Sequence, residues 1–100
     1  MNKKVIDYCV ATTTEEIKTK ISEGWQPYKD LSVSYTNDRL CYFQAMVKYL
    51  ETDINIIEYD IVNNIDEVKQ KLKLGWRLYG NLSVVMSKYY SQPMIKYVAS

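Results

Sequence analysis

The chain has 100 residues, of which 47% are hydrophobic and 25% are charged, and its formal net charge is +1. These proportions are typical of a folded globular protein and exclude a disordered tail. The first fifty residues carry 7 Lys and Arg against 6 Asp and Glu, and the last fifty carry 6 against 6. Neither half has the concentrated positive charge of a protein that binds duplex nucleic acid.

The sequence also indicates where the protein resides. No apolar run approaches the roughly 18 residues of a membrane span, and no signal peptide is readable at the N-terminus. Cys9 and Cys41 both lie in the first half without counterparts in the second, and such unpaired usage is typical of a reducing compartment. We therefore expect a cytoplasmic protein without a membrane partner.

Residues 5–11 alternate between two faces, which predicts a half-buried strand. Thr13 stands three residues before Glu16, and Asn64 three before Glu67, in the pattern of a capping box, so a helix is expected to begin at each. The first helix should end near Gly24, because glycine tolerates the left-handed conformation that follows a helix. Residues 31–35 and 40–50 then predict two further strands.

The same pattern returns 51 positions later, and after a slip of three residues it continues to the end of the chain. The matching residues and segments are Tyr8 with Tyr59, Ile17 with Val68, Ile21 with Leu72, Gly24-Trp25 with Gly75-Trp76, Leu31-Ser32-Val33 with Leu82-Ser83-Val84, and 42–49 with 90–97. One motif is therefore written twice.

Each half reads strand, helix, strand, strand, which predicts an α+β fold made of a tandem βαββ repeat. Residues 1–50 and 51–100 are expected to share one core, since halves of this length bury too little surface alone. The simplest arrangement is a six-stranded, mainly antiparallel sheet with both helices on one face. The second half should open with a strand from Ile54 to Val62 that turns Ile57, Tyr59 and Ile61 inward. Pro93 should place the last strand at an edge or a bulge because proline lacks a ladder donor.

At these segments the chain resembles a family catalogued as domain of unknown function 1737, which is found in bacteria and their phages. The residues that carry the resemblance are Tyr8, Val10, Gly24, Trp25, Pro27, Leu31, Ser32, Val33, Gln44, Ala45 and Met46. The second half departs from the pattern, with Leu78 in place of Pro27 and Pro93 in place of Ala45. The resemblance implies a tandem βαββ protein, bacterial or phage-encoded, and supplies no catalytic residue.

The residue types argue against an enzyme. Histidine, the commonest general base and metal ligand, is missing from the sequence, and no glycine-rich phosphate loop is present. The acidic pairs Glu15-Glu16 and Asp66-Glu67 stand at helix starts, where capping and the helix dipole explain them. We expect no catalytic residue, no metal site and no cofactor.

Trp25 and Trp76 have two interpretations. A tryptophan can stack on a ligand, but a tryptophan just after a helix end is also well placed to close a hydrophobic core while its N–H finds a local acceptor. We favour the core interpretation for both residues.

The face of the sheet away from the helices is the predicted binding surface. It is expected to present, in both halves, the same kinds of side chain: Ser32, Tyr42, Gln44, Met46, Lys48, Ser83, Tyr90, Gln92, Met94 and Lys96. Tyrosine supplies a stacking face, glutamine and serine hydrogen bonds, and lysine a contact for phosphate.

Two functions are consistent with such a face. The first is a non-enzymatic binding protein that sequesters a small nucleotide-type ligand or a host protein. The alternative is a structural, self-associating protein in which this face is a homo-oligomer interface, because tyrosine and methionine are enriched in interfaces. A plain amphipathic surface is the third interpretation.

Overall fold

The computed structural model describes residues 4–50 and 55–98. The first of these ranges contains β1 (Val5–Ala11), α1 (Thr14–Ser22), β2 (Gln26–Pro27), β3 (Ser32–Thr36) and β4 (Arg39–Tyr49). The second contains β5 (Ile56–Val62), α2 (Ile65–Lys73), β6 (Arg77–Leu78), β7 (Ser83–Val85) and β8 (Tyr89–Tyr97). The α+β class is confirmed. The predicted strand start at Ile54 and the boundary between the two predicted domains lie outside the described residues.

The strands form two antiparallel sheets of four strands each, so the prediction of one six-stranded sheet is wrong. In the first sheet β1, β2 and β3 all pair with the long strand β4, and in the second β5, β6 and β7 all pair with β8. Between the sheets a side chain takes the place of a backbone ladder. The Gln26 amide donates to the Ile56 carbonyl at 3.0 Å and accepts from the Ile56 N–H at 2.9 Å.

The second sheet is covered on both faces. Its central strand is buried continuously over residues 91–95. Tyr59 of β5 belongs to the core cluster that contains Ile17 of α1, whereas the next residue, Asp60, forms a salt bridge of 3.2 Å with Lys71 of α2. Consecutive strand residues point to opposite faces. The two helices therefore contact opposite faces of this sheet, and the prediction that both lie on one face is wrong.

The starts of both helices are confirmed in atomic detail. The Thr13 hydroxyl accepts the N–H of Glu16 at 3.0 Å, and the Asn64 side-chain oxygen accepts the N–H of Glu67 at 2.8 Å. Each bond satisfies one of the amides that a helix N-terminus leaves without a partner. The capping-box spacing therefore located both helices correctly.

A β-bulge changes the expected alternation at the start of each half. Val5 pairs with Tyr49 and Asp7 with Lys48, so that Ile6 is the extra residue. The bulge moves Val5 onto the face of Tyr8 instead of the face of Asp7. The second sheet has the same irregularity at residue 57. Ile57 was expected to point inward, but it is exposed, and residue 56 contributes to the core instead.

Pro93 lies in a central strand, so its predicted place at an edge or a bulge is wrong. Its carbonyl accepts the N–H of Tyr79 at 3.0 Å, and Tyr79 falls in the break between β6 and β7. The nitrogen and the carbonyl of an antiparallel strand residue face the same side. An N–H at position 93 would point toward the same break, so proline there costs no hydrogen bond of the strand ladder.

The two halves also contact each other at the loops before β3 and β7 and through a stacked pair of tyrosines. Tyr35 and Tyr89 stack with ring centroids 5.1 Å apart, and the side chain of Asp30 accepts from the backbone and side-chain nitrogens of Asn81 at 3.3 and 3.2 Å. Gly80 has a φ of +66°, and a Cβ there would collide with the Asp30 carboxylate. A larger residue at position 80 would therefore displace the Asp30 carboxylate that accepts from Asn81.

The two tryptophans differ in burial, which gives a test of their predicted core role. Trp25 is buried in the core cluster, whereas Trp76 is half-buried, with the ammonium of Lys71 lying 4.1 Å from its ring centroid. We expect Trp25→Ala to lower the free energy of unfolding by about 3–5 kcal/mol and Trp76→Ala to lower it clearly less. Urea denaturation of both variants at low protein concentration measures the difference. Equal losses would contradict the different burial of the two rings.

Candidate functional site

The ten residues predicted to form a binding face have very different accessibilities. Four are buried: Gln44, Met46, Gln92 and Met94. Ser32 and Tyr90 are exposed, and the rest are half-buried: Tyr42, Lys48, Ser83 and Lys96. An exposed helix-free face is wrong for the buried four, because Met46 packs in the same cluster as Ile17 and Ile21 of α1. Met46 and Gln44, which were assigned to the far side, thus lie on the face that α1 covers.

Three of the half-buried residues make contacts within the chain. The ammonium groups of Lys48 and Lys96 lie 5.3 and 5.8 Å from the ring centroids of Trp25 and Trp76. The Tyr42 hydroxyl lies 3.4 Å from the Ser91 hydroxyl. The structure therefore does not bring the ten residues together on one accessible surface.

A tyrosine of the second half fills a pocket in the first half. Tyr59 has no exposed surface, and its hydroxyl donates to the Gln44 side-chain oxygen at 2.8 Å. Its ring shares the core cluster with Ala11 and Ile17, and it meets the ring of Tyr79 edge-on at 6.1 Å. The phenol is therefore held by apolar walls and by one acceptor.

The acceptor is fixed in orientation by the backbone around it. The Gln44 amide nitrogen lies 3.2, 3.2 and 3.0 Å from the carbonyls of Tyr28, Lys29 and Ala45. Carbonyl oxygens accept hydrogen bonds only, so the donor end of the amide must face them and the oxygen must face the pocket. A group that enters the pocket consequently has to donate.

Burial perturbs the tyrosines at this contact. It raises the pKa of the Tyr59 hydroxyl far above its usual value, with the nearby Tyr79 adding to the shift. Burial also raises the pKa of Tyr79 to about 12, and the Asp30 carboxylate contributes to that increase. Both hydroxyls are therefore neutral at physiological pH, and that of Tyr59 donates to Gln44.

The second half has a comparable pocket beside α2 with a volume of about 200 Å³. It is lined by Val62, Asn64, Ile65, Val68, Leu82, Tyr90 and Gln92. In the sequence match, Val62 and Val68 correspond to Ala11 and Ile17, and Gln92 corresponds to Gln44. Residues that line this pocket are thus the counterparts of the residues that enclose Tyr59 in the first half.

The amide of Gln92 is oriented in the same way as that of Gln44. Its nitrogen donates to the carbonyls of Tyr79 and Pro93 at 3.3 and 2.9 Å. Within residues 4–50 and 55–98, no hydrogen bond to its side-chain oxygen is formed. The pocket therefore offers a fixed acceptor among apolar walls.

Apolar residues in the lining of this pocket and one turn further along α2 are accessible. Leu82 lines the pocket and is 52% exposed, whereas its counterpart Leu31 is 5% exposed. Leu72 follows Val68 by one turn of α2 and is 46% exposed, whereas its counterpart Ile21 is 5% exposed. Exposed apolar patches are commonly found where a protein binds a partner or a ligand.

The pocket was not predicted from the sequence. One signal pointed to it, because Tyr8 and Tyr59 match as equivalent strand residues. The difference in burial between the two tyrosines could not be read from the sequence. The pocket also depends on which face of the sheet the helix covers, and the bulges at Ile6 and residue 57 obscured that choice.

A second pocket lies near both helices at the edge of β5. It is polar, with a volume of about 360 Å³, and its lining includes Lys18, Glu58, Asp60, Lys71 and Trp76. Its charges are largely neutralised, because Asp60 pairs with Lys71 and the Lys96 ammonium lies 3.9 Å from Glu58. This arrangement favours a structural role for the second pocket.

Residues 4–50 and 55–98 contain no group of three or more cysteine, aspartate or glutamate residues positioned to hold a metal ion. Neither helix within those residues has the length and apolar character needed to cross a membrane.

Comparison with protein families, curated proteins and solved structures finds no match to this chain. The resemblance to domain of unknown function 1737 therefore stays a prediction, and the candidate site is interpreted from its own geometry.

The Tyr59 hydroxyl gives a prediction with an internal control. Tyr59→Phe leaves the buried Gln44 oxygen without its donor, so we expect a loss of about 1–3 kcal/mol in the free energy of unfolding. Tyr8→Phe changes the equivalent residue, which is 59% exposed, and should alter it by less than about 0.5 kcal/mol. Urea denaturation at neutral pH compares the two variants, and similar losses would contradict the buried hydrogen bond.

The raised pKa of Tyr59 predicts how stability depends on pH. Its pKa is higher in the folded than in the unfolded chain, so its contribution is intact below about pH 10 and is lost as pH rises above that value. In urea denaturation at a series of pH values, the free energy of unfolding of the wild type should therefore fall more than that of Tyr59→Phe between about pH 10 and 11. If the free energy of unfolding depended on pH in the same way in both proteins, the result would contradict a buried neutral phenol.

Proposed function

We propose that this chain is a tandem βαββ repeat that works as a non-enzymatic binding module, and that its binding site is the apolar pocket beside α2. The ligand is a tyrosine-like side chain of a protein partner. One observation carries the proposal: the equivalent positions in the first half enclose the phenol of Tyr59, which donates to Gln44.

The pocket lining supports a phenol in particular. Val62, Val68 and Leu82 provide apolar walls for a ring, and the Gln92 oxygen provides an acceptor. A tyrosine combines a large apolar surface with one polar tip, so that it satisfies both features at once. A purely aliphatic group would leave the acceptor without a partner.

The same lining supports binding without turnover. The polar side chains at the pocket are two amides and the Tyr90 hydroxyl, and the Asn64 amide is engaged as the cap of α2. Amides neither take nor release protons at physiological pH, so these groups orient a ligand and do not activate it.

A protein partner accounts for the surface better than the nucleotide-type ligand predicted from the sequence. The nucleotide hypothesis requires accessible glutamines and lysines on one face. The nitrogens of Gln44 and Gln92 are instead bonded to backbone carbonyls, and Lys48 and Lys96 lie over tryptophan rings. The exposed apolar residues Leu72 and Leu82 favour a partner that buries a wide surface.

A small phenol tests this proposal without requiring the partner. We expect p-cresol to bind with a dissociation constant on the order of 1 mM, since so small a ligand buries little surface. In a ¹H–¹⁵N NMR titration at low protein concentration, the Gln92 side-chain amide and residues of the pocket wall should shift. Toluene, which has no hydroxyl, should bind about fivefold more weakly because it leaves the acceptor empty.

A pair of tryptophan variants controls for non-specific binding. Leu82→Trp fills the pocket and should abolish the p-cresol shifts, whereas Leu74→Trp changes an exposed leucine outside the pocket lining and should preserve them. Shifts that persist in Leu82→Trp, or a wild type that shows none up to tens of millimolar, would refute the proposed site.

A further inference from the structure

We infer that the tyrosine bound by this pocket is Tyr8 of a second copy of the same chain. The inference rests on the proposed function and names its partner. Tyr8 is the sequence counterpart of Tyr59, and it is 59% exposed where Tyr59 is fully buried. Each chain therefore carries one exposed tyrosine of this type and one pocket of the kind that encloses it.

The contact between the two halves provides the template. There, β5 lies against α1, with Ile56 and Tyr59 packed in one cluster with Ile17, Ile21 and Trp25. The equivalent pair of surfaces, β1 and α2, do not form this contact within the chain. The association of the halves is therefore head-to-tail, and it leaves one surface free at each end.

The free surface of the strand resembles its buried counterpart. Val5, Tyr8 and Val10 of β1 correspond to Ile56, Tyr59 and Ile61 of β5, and all three are exposed. The bulge at Ile6 brings Val5 and Tyr8 onto a common face, as the bulge at residue 57 does for the residues that pack against α1. β1 thus presents the same apolar pattern that β5 buries.

The free surface of the helix resembles α1 in the same way. Val68 and Leu72 of α2 replace Ile17 and Ile21, and Trp76 replaces Trp25. Leu72 is exposed and the other two are half-buried, although their counterparts are all buried. A second copy whose β1 lies on α2 would cover these residues and direct Tyr8 toward the Gln92 oxygen.

One substitution makes the contact between chains weaker than the contact between halves. The Gln26 amide bonds both the N–H and the C=O of Ile56, whereas the corresponding residue is Arg77. A guanidinium only donates, so it can bond the Val5 carbonyl but not the Val5 N–H. We therefore expect reversible self-association, with a dissociation constant in the micromolar range.

Sedimentation equilibrium at protein concentrations from about 5 to 500 μM tests the inference. The weight-average mass of the wild type should rise with concentration. Tyr8→Ala and Leu82→Trp should each weaken self-association at least tenfold, and Tyr8→Phe should weaken it about fivefold through the lost hydrogen bond. Tyr97→Ala, at another exposed tyrosine, is the matched control and should associate as the wild type does.

Mixing the two defective variants tests the head-to-tail direction. The Leu82→Trp chain keeps a normal Tyr8 and the Tyr8→Ala chain keeps a normal pocket, so an equimolar mixture should recover one intact contact and form heterodimers. NMR spectra of each variant alone confirm that it is folded. If both substitutions instead damaged one self-complementary patch, the equimolar mixture would associate no better than either variant alone.

The outcomes separate this inference from the proposed function. A wild type that remains monomeric at 500 μM but still binds p-cresol would overturn Tyr8 as the occupant and leave the phenol pocket in place. Self-association that Tyr8→Ala does not weaken would also overturn it. A monomer that binds no phenol would refute both proposals.

Discussion

The structure depends on one buried phenol. The Tyr59 side chain extends from β5 into a space beside α1, where its hydroxyl donates to Gln44 and its ring packs in one cluster with Ala11 and Ile17. Each half has about fifty residues and could bury only a small core alone. Because β5 packs against the helix of the other half, the two small cores become one cluster.

The packing of β5 against α1 determines how the layers are arranged. With α1 against one face of the second sheet, α2 contacts the opposite face through Lys71 and Asp60. The central strand β8 consequently has both faces covered over residues 91–95, which is unusual for an antiparallel sheet in a chain of this size. The unequal accessibility of matching residues, such as Leu31 and Leu82, follows directly from this arrangement.

Local features of the fold could be predicted from the sequence, and features that depend on long-range contacts could not. Thr13 and Asn64 located the two helix starts because capping is a matter of neighbouring residues. The strand periods identified β1, β3, β4, β5, β7 and β8, but the two-residue strands β2 and β6 are too short to show a period.

The main error of the sequence-based prediction was the side of the sheet to which strand residues were assigned. Gln44 and Met46 were assigned to an open surface because they alternate with the apolar residues Ala45 and Val47, yet a glutamine can be buried when its amide is satisfied by backbone carbonyls. The extra residue at position 57 reversed the alternation where β5 meets α1, and the extra residue at position 6 did so at the equivalent point of β1. A bulge leaves no distinct mark in a run of isoleucines and valines.

The amide of Gln92 has a consequence for chemical selectivity. Since its nitrogen is held by the carbonyls of Tyr79 and Pro93, it cannot rotate to present a donor to the pocket. If a phenol binds as proposed, the site would distinguish it from one whose oxygen carries a methyl or phosphoryl group, because two acceptor oxygens would then face each other without a proton between them. Modification of a tyrosine hydroxyl would exclude that residue from the pocket while leaving the pocket itself unchanged.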